Sequence, residues 1–132
     1  MGISGLMHIG LYTRDMNESL KFYTEVLGFT VQWHDMVDHI TGRIEAAKIV
    51  MGDCTIELVK PADLNRVHHE AGPLQHIALK VSDLPAVIQQ LTHHGIVFTE
   101  EMRTISFDGG IRHCFLHGPS NERIELAEYV NI

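Results

Sequence analysis

Four residues in this sequence have the types and the spacing of a divalent-metal site: His8, Glu57, His76 and Glu125. The two histidines stand 68 residues apart, as do the two glutamates, so each glutamate follows its histidine by 49. They lie in apolar stretches, among them Leu6-Met7-His8-Ile9, Ile56-Glu57-Leu58-Val59 and Ile124-Glu125-Leu126-Ala127. A carboxylate turned inward without a partner costs on the order of several kcal/mol, and a metal held by two imidazoles removes that cost. Two nitrogen and two oxygen ligands suit Zn²⁺, Ni²⁺, Co²⁺ or Mn²⁺, with open positions for water or substrate. A single such glutamate more often faces solvent from an alternating strand, and a lone histidine is more often a satisfied core residue. Four of them at one offset reverse that judgement.

The offset belongs to an internal duplication. Met7-His8-Ile9-Gly10-Leu11 returns as Gln75-His76-Ile77-Ala78-Leu79, and Ile56-Glu57-Leu58 returns as Ile124-Glu125-Leu126, both displaced by 68. Asp15 matches Asp83, Met16 matches Leu84, and Leu20 matches Ile88 at the same offset. A unit of about 65 residues is too small for a sizeable core of its own, so it needs its twin. Related by a two-fold axis, the paired strands would present two imidazoles and two carboxylates to one volume.

Residues 6–13 and 74–81 alternate and are rich in Ile, Leu and Val, as strands are. A helix follows each. Asp15 caps the first, with Glu18 as capping-box partner, Met16, Leu20, Tyr23 and Leu27 on its apolar side, and Gly28 at its end. Asp83 caps the second, Pro85 sits in its first turn, Leu84, Val87, Ile88 and Leu91 form the stripe, and Gly95 ends it. Extended segments are expected at 29–33, 44–51 and 55–60, and again at 96–99, 111–117 and 123–129, with turns at Met51-Gly52-Asp53, Asp108-Gly109-Gly110 and Gly118-Pro119-Ser120-Asn121. The pattern is β-α-β-β-β twice, an α+β fold. It is expected to form one domain over residues 1–132, with module 1 at about 5–61, module 2 at about 73–130 and a polar connector between them.

Of ten histidines, most carry bland readings. His93 and His94 close a helix, where the dipole favours them. His68 and His69 are expected on the connector's surface, and His34 and His39 beside a loop. His113 and His117 share one strand face, where packing is the expected role. Trp33, Phe107 and Met102 read as core.

The chain has 132 residues, 45% hydrophobic and 20% charged, with a formal net charge of −7. Without a basic surplus it is not expected to bind nucleic acid or an anionic membrane. No apolar run approaches the roughly 18 residues of a membrane-spanning helix, and no signal peptide is recognisable. Cys54 and Cys114 are not spaced as a zinc or redox pair, so they read as reduced thiols of a cytoplasmic protein.

The same residues carry a family likeness. His8-Ile9-Gly10-Leu11, Leu20-Lys21-Phe22-Tyr23, Val26-Leu27-Gly28-Phe29, His76-Ile77-Ala78-Leu79-Lys80-Val81-Ser82-Asp83, Gly118-Pro119 and Arg123-Ile124-Glu125-Leu126 together resemble the vicinal-oxygen-chelate superfamily. That superfamily includes glyoxalase I, methylmalonyl-CoA epimerase, extradiol dioxygenases, and fosfomycin- and bleomycin-resistance proteins. The resemblance implies paired βαβββ modules, a curved mixed sheet around a metal, and a homodimer.

Dioxygenases and fosfomycin-resistance proteins typically lack a carboxylate at the Glu57 position, whereas its presence beside Glu125 resembles glyoxalase I and those epimerases that carry Glu rather than Gln there. Two places depart from glyoxalase I: Tyr12 stands where an arginine is common, and Pro61 where asparagine is. The co-substrate thus stays open between glutathione and another thiol.

The resemblance implies a glyoxalase I-like lyase of the lactoylglutathione lyase type, with Glu125 or Glu57 moving the proton and His8, Glu57, His76 and Glu125 holding the metal. A methylmalonyl-CoA epimerase-like isomerase, whose epimerase relatives usually have a longer loop before the final Ile-Glu-Leu, is one alternative. A metal-free small-molecule binding or resistance protein is another.

Overall fold

Two similarly built units each place a histidine just before the first strand and a glutamate on the last. The computed structural model describes residues 2, 5–39, 42–67 and 74–130, with Phe107 described by its main chain alone. Expectations for His68 and His69 lie outside the described residues. Internal contacts divide the chain into residues 1–68 and 69–132.

The first unit contains β1 (Ile9–Tyr12), α1 (Met16–Lys21) running on into a π-helical stretch (Phe22–Val26), β2 (Thr30–His39), β3 (Gly42–Met51) and β4 (Cys54–Lys60). Its sheet has the order β1-β4-β3-β2, with β1 parallel to β4 and the other neighbours antiparallel. The second unit contains β5 (Ile77–Lys80), α2 (Leu84–His93), β6 (Glu100–Ile105), β7 (Ile111–His117) and β8 (Arg123–Tyr129). Its order is β5-β8-β7-β6, again with the first strand parallel to the last. Each unit is thus a βαβββ module with a four-stranded mixed sheet, and the fold is α+β.

Alternation along the closing strands separates core from site. Ile56 and Leu58 in β4 are fully buried, as is Ile124 in β8, with Leu126 beside it nearly so. Burying each such side chain stabilises the fold by about 1.5–3 kcal/mol. α1 packs on β4 and α2 on β8, so these residues face the helices. Glu57 and Glu125, of opposite parity, face away.

Both helices start on an aspartate. Asp15 accepts from the Glu18 N–H at 3.1 Å and Asp83 from the Ala86 N–H at 3.2 Å. The capping box is only half made, because the Asp15 N–H donates to Thr13 Oγ1 at 3.2 Å. The buried side of the first helical segment also differs from its 3.6-residue stripe: Met16, Ser19, Phe22 and Tyr23 are buried, with Leu20 and Leu27 only half-buried. In the π-helical stretch the Leu27 N–H reaches back five residues to Phe22. The segments end at Gly28 (φ +89°) and Gly95 (φ +83°), in the left-handed region where glycine carries no Cβ penalty.

Two strands sit elsewhere than expected. The segment expected at 29–33 extends through His39, so His34 and His39 lie within β2 rather than beside a loop. β2 is exposed on almost its whole length, which erases the apolar alternation that would have marked it. The strand expected at 96–99 is instead β6, at Glu100–Ile105. The helix cap holds the earlier residues: the Ile96 N–H bonds to Leu91 O at 3.1 Å, and Val97 is 83% exposed. Trp33 and Met102 are on the surface rather than in the core. No helix among the described residues is long and apolar enough to cross a membrane.

Candidate functional site

Parallel pairing sets each histidine beside its glutamate. Gly10 lies opposite Glu57 and Ala78 opposite Glu125, and His8 and His76 are two residues earlier on the same faces. The side chains close the diagonal, with His8 Nε2 at 3.2 Å from Glu57 Oε2 and His76 Nε2 at 3.1 Å from Glu125 Oε1. Within each unit the histidine thus lies beside the glutamate that follows it by 49 residues. Among the described residues no group of three or more His, Cys, Asp or Glu side chains is gathered tightly enough to hold a metal ion.

The two pairs are not equivalent. Phe115 lies opposite Glu125 and His113 opposite Ala127, so His113 shares the Glu125 face. His113 Nδ1 is 2.8 Å from Glu125 Oε2, a role stronger than the packing expected of it. In β3 the position with the same register is Ala46, opposite Val59, which has no donor to offer. Accordingly Glu125 is held on both oxygens with a side chain 14% exposed, while Glu57 has His8 and is 39% exposed. Trp33 lies opposite Lys48, which lies opposite Glu57, so its exposed indole joins the Glu57 face.

A chain of side chains behind His76 fixes its ring. Arg123 lies over Phe115, its Cζ 3.8 Å from the ring centroid, and is tied to Glu100 Oε2 at 3.1 Å. Its Nη1 donates to Gln75 Oε1 at 3.0 Å, which identifies that atom as the amide oxygen. The same oxygen contacts His76 Nδ1, so Nδ1 carries the proton. Nε2 then faces the Glu125 carboxylate, 3.1 Å from Oε1. With both Nε2 atoms turned to carboxylates, the donor set fits a borderline divalent metal, and Gln75 acts as the outer partner that orients a ligating imidazole. Gln75, His113 and Arg123 were not identifiable as a group from the sequence. Equal parity with His117 was the one available sign for His113.

On the helix side of the same strands, Cys114 is 1% exposed. Burial first, and the Glu125 charge second, push its thiol from 9.0 up to about 11. The folded value lies above the unfolded one, so the stability contributed is present below pH 9 and lost as pH rises through 11. Urea midpoints of the native chain should fall more steeply over that window than those of Cys114→Ala. Equal slopes would remove Cys114 from the alkaline transition.

A family model described as the Glyoxalase/Bleomycin resistance protein/Dioxygenase superfamily matches residues 5–126. The chain is 32% identical over 130 residues to the uncharacterized protein YwbC of Bacillus subtilis (strain 168), covering 92% of this chain and 94% of that protein. The crystal structure of a glyoxalase family protein from Enterococcus faecalis superposes with a TM-score of 0.77 at 24% identity, covering 97% of this chain and all of that one (100%). That of a genomically encoded fosfomycin resistance protein, FosX, from Listeria monocytogenes gives a TM-score of 0.73 at 16% identity, covering 97% and 95%. These two likenesses concern the fold.

Proposed function

Because the chain belongs to the glyoxalase/bleomycin resistance protein/dioxygenase superfamily, which contains enzymes and non-catalytic resistance proteins alike, we propose that it is a metal-dependent lyase of the glyoxalase I type. In this reading His8, Glu57, His76 and Glu125 are the protein ligands of one divalent metal, and residues 1–132 act as one domain, with modules at about 5–61 and 73–130. The observation that carries it is the pair of His–Glu couples at matching positions of the two units, with separations of 3.2 and 3.1 Å. When bound, the metal would supply Lewis-acid stabilisation of the charge that develops on two neighbouring substrate oxygens.

The substrate would be the hemithioacetal of a 2-oxoaldehyde and a thiol. A base removes the proton from C1, and a proton is returned to C2. The C1 hydroxyl becomes the thioester carbonyl and the C2 ketone becomes a hydroxyl, so no oxidant is needed. The proton carrier is assigned to Glu57, which is more exposed and faces His8 alone among the described histidines. Glu125, gripped by His76 and His113, is assigned the fixed role.

The test starts from chelator-treated full chain in a thermal-unfolding assay with Ni²⁺, Zn²⁺, Co²⁺ or Mn²⁺. At 100 times Kd a ligand specific for the folded state adds about 2.7 kcal/mol. The metal giving the largest shift should also support conversion of methylglyoxal plus glutathione, or plus another small thiol, to a 2-hydroxyacyl thioester, followed by NMR. Absence of both metal stabilisation and turnover would favour a metal-free binding protein.

A further inference from the structure

We propose that His113 is a positioning residue of the metal site: its Nδ1–H holds one oxygen of Glu125, so that only the other, Oε1, is left to face a metal beside His76. This rests on the function proposed above in taking His76 and Glu125 as ligands. An ionised carboxylate offers only acceptors, so the 2.8 Å contact between His113 Nδ1 and Glu125 Oε2 is a bond that the imidazole donates. His76 addresses the other oxygen, with Nε2 at 3.1 Å from Oε1. The two rings take different oxygens, and among the described residues no three donors gather closely enough to hold an ion. His113 is therefore a partner of the ligand and not a ligand itself.

The strand pattern makes this grip firm. His113 and Phe115 fall on the Glu125 face of β7, with Phe115 directly opposite Glu125. The buried Phe115 ring packs against both imidazoles, its centroid 5.2 Å from that of His113 and 5.9 Å from that of His76. A glutamate side chain is long and rotamer-rich, and Glu125 borders a cavity of about 360 Å³ lined also by Ala78, Lys80, Ile105 and Ile111. Without His113 the carboxylate would be free to turn into that space. The bond holds it beside His76.

The first unit lacks this device. In β3 the position in register with His113 is Ala46, and Lys48 stands opposite Glu57 where Phe115 stands opposite Glu125. Neither a second imidazole nor an aromatic wall comes to Glu57 from β3. The second unit is thus the preorganised half of the proposed site, and the first its adaptable half. An outer partner of this kind is worth about 10–100-fold in metal affinity.

The test titrates Co²⁺ into the chelator-treated full chain and into His113→Phe and His113→Asn, by calorimetry and by visible absorption. Phenylalanine keeps an aromatic ring on Phe115 and removes the donor; asparagine returns an amide N–H near the place of Nδ1–H. His113→Phe should bind Co²⁺ about 10–100-fold more weakly and with shifted d–d bands. His113→Asn should restore most of the affinity and the native bands. In the metal-free native chain, long-range ¹H–¹⁵N spectra should show the His113 ring carrying a proton on Nδ1. Unchanged affinity and bands in His113→Phe, no rescue by His113→Asn, or an Nδ1 without a proton overturns the positioning role. A native chain that binds no metal removes the lyase reading and this role together, whereas one that binds metal without forming thioester removes the lyase reading alone.

Discussion

Glu125→Ala should abolish metal-dependent stabilisation and lower kcat/KM for the hemithioacetal on the order of 10³-fold or more. The carboxylate lies between two imidazoles, with His76 Nε2 at 3.1 Å and His113 Nδ1 at 2.8 Å. Its removal deletes one proposed ligand and releases the rings that flank it. The contrast is Glu57→Gln, which should keep most of the metal-induced shift in unfolding temperature while losing turnover about 10²–10⁴-fold, the range for a proton carrier. Calorimetric metal titration and steady-state kinetics on both variants check this division of labour. Equal loss of metal affinity in the two would make the carboxylates interchangeable ligands and remove the assignment of Glu57 as base.

Glu128→Ala should destabilise the chain by about 3 kcal/mol, seen as a lower urea midpoint at unchanged m value. Glu128 is 6% exposed on the helix side of β8. One carboxylate oxygen accepts from the Arg112 Nε at 2.9 Å and also from its Nη2, and the other accepts from the Leu84 N–H at 3.1 Å. The first turn of α2 is thereby completed: Asp83 takes the Ala86 N–H, Pro85 has none, and the Val87 N–H reaches Asp83 O at 3.0 Å. Truncation would leave an unpaired guanidinium and an orphaned N–H. Asp83→Ala, which loses a cap at an exposed helix end, should cost only about 1 kcal/mol. A Glu128 effect no larger than that would mean the pair contributes little beyond its own desolvation.

Glu128 also marks a limit of the duplication. The residue at the same offset in the first unit is Lys60, and the start of α1 is held differently. Thr13 and Ser19, both fully buried, bring their hydroxyls to 2.6 Å from one another. Their counterparts are Val81 and Val87. The repeat thus preserves topology and the His–Glu pairs, while each unit anchors its helix by its own chemistry.

By itself the sequence determined the βαβββ order, the aspartate and glycine ends of both helices, and the equal spacing of each histidine from its glutamate. All of these follow from local periodicity or from an offset that survives in the chain. Parity alone distinguishes Glu57 and Glu125 from Ile56, Leu58, Ile124 and Leu126, because alternate side chains of a strand face opposite sides. The tertiary structure decided what depends on register between strands distant in sequence. His113 reaches Glu125 because β7 and β8 align Phe115 with Glu125. Arg123 and Gln75 meet because β5 and β8 run side by side. Lys80 faces a cavity because Ile105 and Ile111 arrive from β6 and β7. A one-residue slip in any of these pairings would turn the side chains to the other face. Such alignments are settled by the packing of both sheet faces at once, so no local stretch of sequence encodes them.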